Sequence, residues 1–134
     1  MTAMQGYSGR SLVAKLGLKP GWRVGLRDVP DGCLDLLSGP EGVHFAPLEQ
    51  GADWDAAHVF LYAPEEIALA AVDAMARLRA GGALWLSWAK KSSPLHAGVS
   101  ESLLRSRVLP LGWVDVKVCA VDADWSALKF LKRR

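Results

Sequence analysis

Two stretches of this chain, residues 57–62 and 83–88, are almost unbroken in apolar residues and are separated by a segment with helical periodicity. A strand sends its side chains alternately to two faces, so it can be apolar throughout only where both faces are covered. Two such strands joined by a helix belong to a parallel sheet with a right-handed crossover and helices on both sides. The helix between them is expected to start at Pro64, with Glu65 and Glu66 at the positive end of its dipole. Ile67, Ala71, Ala74 and Leu78 make its buried stripe, and Gly81-Gly82 is expected to end it.

The rest of the chain fits the same scheme. Residues 1–6 read as a loose end. Ser8 or Gly9 opens a short helix with Leu12 and Leu16 on one face, and Gly17 stands where a left-handed C-terminal cap is wanted. After the Lys19-Pro20-Gly21 turn, residues 22–26 read as the first strand. A short helix capped by Asp31 carries Leu34 and Leu37 and closes at Gly39-Pro40, and 43–46 form a weaker strand. Ser100 caps the last helix, with Val99 and Leu104 as a hydrophobic staple, and Pro110 and Gly112 stop it. Val114, Val116, Val118 and Ala120 alternate with Trp113, Asp115, Lys117 and Cys119, which predicts a strand that buries its valine face. Residues 126–131 should pair back on it through Asp122-Ala123-Asp124. The expected fold is α/β: a three-layer, Rossmann-like, mostly parallel sheet with a C-terminal antiparallel hairpin.

Size and charge narrow the partners. At 134 residues the chain suits one domain over 1–134, and a net charge of +2 is too small to imply nucleic acid or a membrane surface. Cys33 and Cys119 form no CxxC pair and have no histidine at metal spacing, so they read as buried apolar groups and no metal is expected. Without a signal segment, or the ~18-residue apolar run of a membrane span, the expected location is cytoplasmic.

This layout resembles the class I S-adenosylmethionine-dependent methyltransferases, whose sheet ends in such a hairpin. Trp54-Asp55 is similar to the aromatic-Asp lead-in of their fourth strand, and Gly81-Gly82-Ala83-Leu84 to the turn entering their fifth. The likeness runs over 20–131 with one strand–helix unit missing, because the segment between Glu49 and Asp53 is too short to hold it. A narrower resemblance covers the whole chain. YSG at 7–9, LGLKPG at 16–21, WLSWAKK at 85–91, LPLGWVDVKVCAVD at 109–122 and WSALK at 125–129 resemble an uncharacterised bacterial family, a domain of unknown function. That resemblance implies no activity.

The segment after the first strand departs from the methyltransferase pattern. A cofactor's close approach there wants a glycine-rich turn, whereas this chain has Arg27-Asp28-Val29-Pro30-Asp31-Gly32. Proline removes an amide donor and Val29 adds a branched side chain. No cofactor is therefore expected, and S-adenosylmethionine is disfavoured on steric grounds. Glu49 stands about where a carboxylate would hold a ribose, against the plainer reading of an exposed loop residue. Ala63-Pro64 shows no likeness to the polar motif of amino-methylating members.

Ligands of open α/β sheets gather at the carboxyl ends of the parallel strands. That edge should collect Asp28, Asp31, Tyr62, Pro64, Trp88, Lys90 and Lys91, joined by the turn carrying Asp122 and Trp125. Asp28, Trp88, Lys90, Lys91, Asp122 and Trp125 are the candidate ligand-binding set, suited to a flat anionic small molecule. The plainer alternative makes the lysines solvated loop charges. Trp85 and Trp88 should face opposite sides of the sheet. Six tryptophans, with Trp113 on the more polar side of its strand, suggest a homodimer seam or a protein partner, against simple core filling. Asp115 and Lys117 share a face and could pair with each other or with a cross-strand charge such as Lys129. His58 reads as a core histidine.

Together these features point to a non-catalytic ligand- or partner-binding domain. The alternative is a degenerate S-adenosylmethionine-dependent methyltransferase acting on a small substrate.

Overall fold

The computed structural model describes residues 11–37 and 42–133. The loose end at 1–6, the helix start at Ser8 or Gly9 and the Gly39-Pro40 stop lie outside them. Six strands form one sheet in the order β2-β1-β3-β4-β6-β5. They are β1 (Arg23–Arg27), β2 (His44–Pro47), β3 (Trp54–Leu61), β4 (Leu78–Ala89), β5 (Trp113–Ala120) and β6 (Trp125–Lys132). The first four run parallel, and β6 lies antiparallel between β4 and β5. The α/β expectation with its closing hairpin holds.

Helices cover both faces. On one side lie α1 (Leu12–Lys15) and α2 (Asp31–Leu37), packed through Leu12, Leu16, Cys33 and Leu37 onto Val24, Phe60 and Trp85. On the other lie α3 (Ile67–Ala76) and α4 (Glu101–Val108), packed onto Val59, Leu61, Leu86 and Trp88. Trp85 and Trp88 do face opposite sides. Local chemistry sets the helix starts: the Ser11 hydroxyl accepts from Ala14 N at 3.1 Å, and the Ser100 hydroxyl from Leu103 N at 3.1 Å. Val99 and Leu104, the predicted staple, are both buried. Among the described residues, no helix is long and apolar enough to cross a membrane.

Two segments differ from the sequence reading. The helix after Pro64 begins as a 3-10 turn over Pro64–Glu66, and α3 stops at Ala76 instead of reaching Gly81-Gly82. Leu78 already pairs with Trp54 in the sheet, and the next matched pair is Ala56 with Ala83, so β4 bulges between them. The glycines serve that bulge. Gly81 has φ +79°, and a Cβ on Gly82 would stand 3.0 Å from the Arg79 carbonyl oxygen. In β5 the predicted alternation also breaks: Trp113 is buried on the α4 side of the sheet and Cys119 on the α1 side, while Val116 and Val118 are 49% and 43% exposed. A register shift between Asp115 and Lys117 on this edge strand is the cause. It separates Asp115, which pairs with Arg105 of α4 at 2.8 Å, from Lys117, so the two do not share a face.

Candidate functional site

Strand order reverses between β1 and β3, and the crevice outside their carboxyl ends is where such sheets bind ligands. Asp28 leaves β1 with φ +57°, a left-handed conformation that an aspartate tolerates better than most residues. Tyr62 follows β3, and its hydroxyl donates to the Asp28 carbonyl at 2.6 Å, bridging the crevice. Burial first, then the Asp28 charge, pushes the Tyr62 phenol up to about 12, so it remains a protonated donor. Its ring stands edge-on to Trp125 at 5.2 Å, and its backbone amide donates to Glu66 at 2.9 Å.

Beside this crevice opens a cavity of about 900 Å³, lined by Leu26 to Val29, Phe45 to Pro47, Glu49, Asp73 and Arg77. Ligand pockets commonly measure roughly 300–1,000 Å³. One wall is held by an ion-pair relay in which Asp73 of α3 binds Arg27 at 3.0 Å and Arg77 at 3.2 Å. Arg77 also donates to the carbonyls of Glu49 and Gly51 at 3.2 and 3.3 Å, fixing the turn that follows β2. The Glu49 carboxylate itself is exposed and has no protein partner among the described residues. β2 is an edge strand of four residues, so nothing beyond it in the sheet closes this end.

The structure divides the predicted site residues into two groups. Asp28 and Glu49 line the cavity. Lys90, Asp122 and Trp125 belong to a separate knot: Lys90 N donates to the Asp124 carbonyl at 2.7 Å and Lys90 Nζ to the Asp122 carbonyl at 2.8 Å. Asp122 Oδ1 accepts from the amides of Asp124 and Trp125, both at 2.8 Å, while its Oδ2 accepts from the Cys33 thiol at 3.3 Å. Burial first, then Asp122, pushes that thiol up to about 12. Lys91 is exposed. Trp88 and Trp125 are core residues, on opposite faces of the sheet. Among the six tryptophans, Trp22 is half-buried and the other five are buried. Sequence reasoning missed Arg27, Asp73 and Arg77. The only signal for them was the i, i+4 spacing of Asp73 and Arg77 on one helix.

No family model matches the chain, and no curated protein matches it. Solved structures do. A possible exported protein from Bordetella parapertussis matches with a TM-score of 0.60 at 14% identity, over 92% of this chain and 66% of that one. The 1,6-didemethyltoxoflavin-N1-methyltransferase of Burkholderia thailandensis, with bound S-adenosylhomocysteine, matches at 0.59 and 17% identity, over 92% of this chain and 75% of that one. Magnesium protoporphyrin IX methyltransferase from Synechocystis, with bound S-adenosylmethionine, matches at 0.55 and 15% identity, over 90% and 74%. The fold is methyltransferase-like. This chain spans about two thirds to three quarters of the length of these proteins.

These neighbours correct the cofactor expectation. Two of them, the Synechocystis and Burkholderia methyltransferases, hold S-adenosylmethionine and S-adenosylhomocysteine, which overturns the expectation that a fold of this kind has no cofactor. Val29 and Pro30 do not close the space after β1. In the structure Asp28 makes the left-handed turn that a glycine would otherwise make, and an open cavity remains over the ends of β1 and β2.

Proposed function

We propose that this chain is an S-adenosylmethionine-binding, methyltransferase-like domain acting on a small acceptor, with the adenosine part of the cofactor in the cavity over β1 and β2. The observation that carries this reading is the free Glu49 carboxylate set among the apolar walls of Leu26, Val29, Phe45 and Pro47. A ribose diol presents two adjacent hydroxyl donors, which one carboxylate accepts, and an adenine ring wants flat apolar contact. The donor set present therefore fits the nucleoside half of the cofactor. When bound, the cofactor supplies an activated methyl group on a sulfonium, and the protein's share is binding and orientation. Asp28 and Tyr62 fix the crevice beside the cavity, where an acceptor would be held, with the one O–H of Tyr62 donated to the Asp28 carbonyl and its oxygen left as an acceptor.

Calorimetric titration with S-adenosylhomocysteine tests the cofactor assignment. Glu49→Ala should weaken binding by about 1.5–3 kcal/mol, roughly 10- to 150-fold, the range for hydrogen bonds to a charged group. Leu26→Trp, which narrows the cavity from one wall, should weaken it further. No heat and no thermal shift with either adenosyl compound at millimolar concentration would sink the reading. Conversion of S-adenosylmethionine to S-adenosylhomocysteine in the presence of small amine, thiol and hydroxyl acceptors separates turnover from binding alone.

A further inference from the structure

On the α1 side of the sheet, away from the cavity, we infer a binding site for a compact anion carrying two or more phosphate groups, formed by Lys15, Lys19, Lys117 and Lys129. Lys117 and Lys129 are direct cross-strand partners in the β5–β6 ladder. Like charges placed opposite each other destabilise a pair of strands, so the arrangement costs stability unless something neutralises it. The register shift that sends Asp115 to Arg105 leaves Lys117 without an acid. Lys117 instead reaches across to the end of α1, where its ammonium donates to the Lys15 carbonyl at 3.1 Å. Lys129 points at the same turn: its ammonium is the nearest heavy atom to the place a Gly17 Cβ would occupy, 4.0 Å away. Lys19 closes the turn on the other side, above Trp22. Burial, then Lys117, then Lys19 lower the affinity of the half-buried Lys129 ammonium for its proton, so both lysines lie within electrostatic reach of Lys129.

The contrast with the arginines is informative. All five ion pairs among the described residues use arginine, and none uses a lysine. The carboxylates that form ion pairs do so with Arg27, Arg77, Arg79 and Arg105, so no ion pair among the described residues neutralises this cluster. Three ammonium groups about one turn and one strand pair, with Lys15 in the last turn of α1 beside them, suit a small multivalent anion. A nucleic acid backbone would want a stripe of cations along its length.

Inorganic tripolyphosphate is the probe, with thermal unfolding of the full chain in low salt as the readout and sodium chloride at matched ionic strength as the reference. The wild type should gain more stability from tripolyphosphate than from chloride, and less from orthophosphate than from tripolyphosphate. Lys19→Gln with Lys129→Gln should fold at least as stably without the probe, since repulsion is relieved, and should lose the gain. Lys19→Arg with Lys129→Arg should keep it. Should the glutamine pair unsettle the hairpin, Lys15→Gln with Lys19→Gln carries the same expectation and leaves both strands untouched. A gain of equal size in the glutamine variants, or none in the wild type beyond chloride, overturns the assignment. So does binding of single-stranded RNA or anionic vesicles without any response to tripolyphosphate.

Discussion

His58 sits in the middle of β3 with its ring fully buried, stacked on Phe60 at 4.5 Å and sharing a hydrogen bond of 2.6 Å with the Ser87 hydroxyl of β4. Its Nδ1 has no hydrogen-bond partner among the described residues. Burial lowers its pKa from 6.5 to about 3. Above pH 6.5 the ring is neutral whether the chain is folded or not, and the folded state keeps its full stability. As the pH falls below that value the unfolded chain takes up a proton that the folded one refuses, so stability drops by about 1.4 kcal/mol per pH unit. The loss continues until the folded ring titrates near pH 3. Urea unfolding between pH 7 and pH 4 should show this slope in the wild type and lose it in His58→Phe with Ser87→Ala; equal slopes would remove His58 as the cause. Asp55 contributes in a different window. Burial alone would raise its pKa, but hydrogen bonds from the Arg23 amide and the Arg79 guanidinium outweigh that and hold it below 3.8. Its share is therefore lost only below that pH. At this scale the sequence showed a histidine in a buried strand, but a serine one strand away is invisible until the register is known.

Packing between elements decided which sequence signals could be read. The nearly continuous apolar runs of β3 and β4 were legible because both faces are covered, and the Ser100 cap because its chemistry is local. β5 was misread because an edge strand with a bulge obeys its neighbours more than its own period. The cavity was illegible for a similar reason: Arg27, Glu49 and the Asp73–Arg77 pair come from three segments that only the sheet order brings together. Gly25 shows how tightly that wall is built. A Cβ there would stand 3.0 Å from Leu48 Cα, 2.6 Å from Leu48 Cδ1 and 3.1 Å from Trp54 Cδ2. Gly25→Ala should cost about 1–3 kcal/mol through overpacking. Because Leu48 directly precedes Glu49, it should also weaken S-adenosylhomocysteine binding. Gly32→Ala is the matched control, since nothing lies within 4 Å of the added carbon and the position is inside α2. Chemical denaturation and calorimetry of the pair report both effects. A Gly25→Ala protein as stable as the Gly32→Ala protein would mean that the Leu48 turn yields freely.

For the whole molecule, the strand order determines where the fold is weak. β3, β4 and β6 each have a neighbour on both sides, whereas β2 pairs only with β1 and β5 only with β6. β2 is also only four residues long and half-exposed or exposed throughout. Local opening follows few buried contacts and exposed backbone hydrogen bonds. Amide hydrogen exchange should therefore be slowest in β3 and β4, at rates set by global unfolding, and much faster in β2. The cofactor cavity lies against that weak edge, so ligand binding has a predictable footprint. S-adenosylhomocysteine should slow exchange in β1, in β2 and in the Leu48–Gln50 turn, and leave β5 and β6 close to their free rates. Tripolyphosphate should do the reverse, protecting β5, β6 and the turn after α1. The two footprints do not overlap because the two sites use opposite ends of the sheet. If S-adenosylhomocysteine instead protected β5 and β6, or if free β2 exchanged as slowly as β4, the cavity over β1 and β2 would not be the cofactor's place.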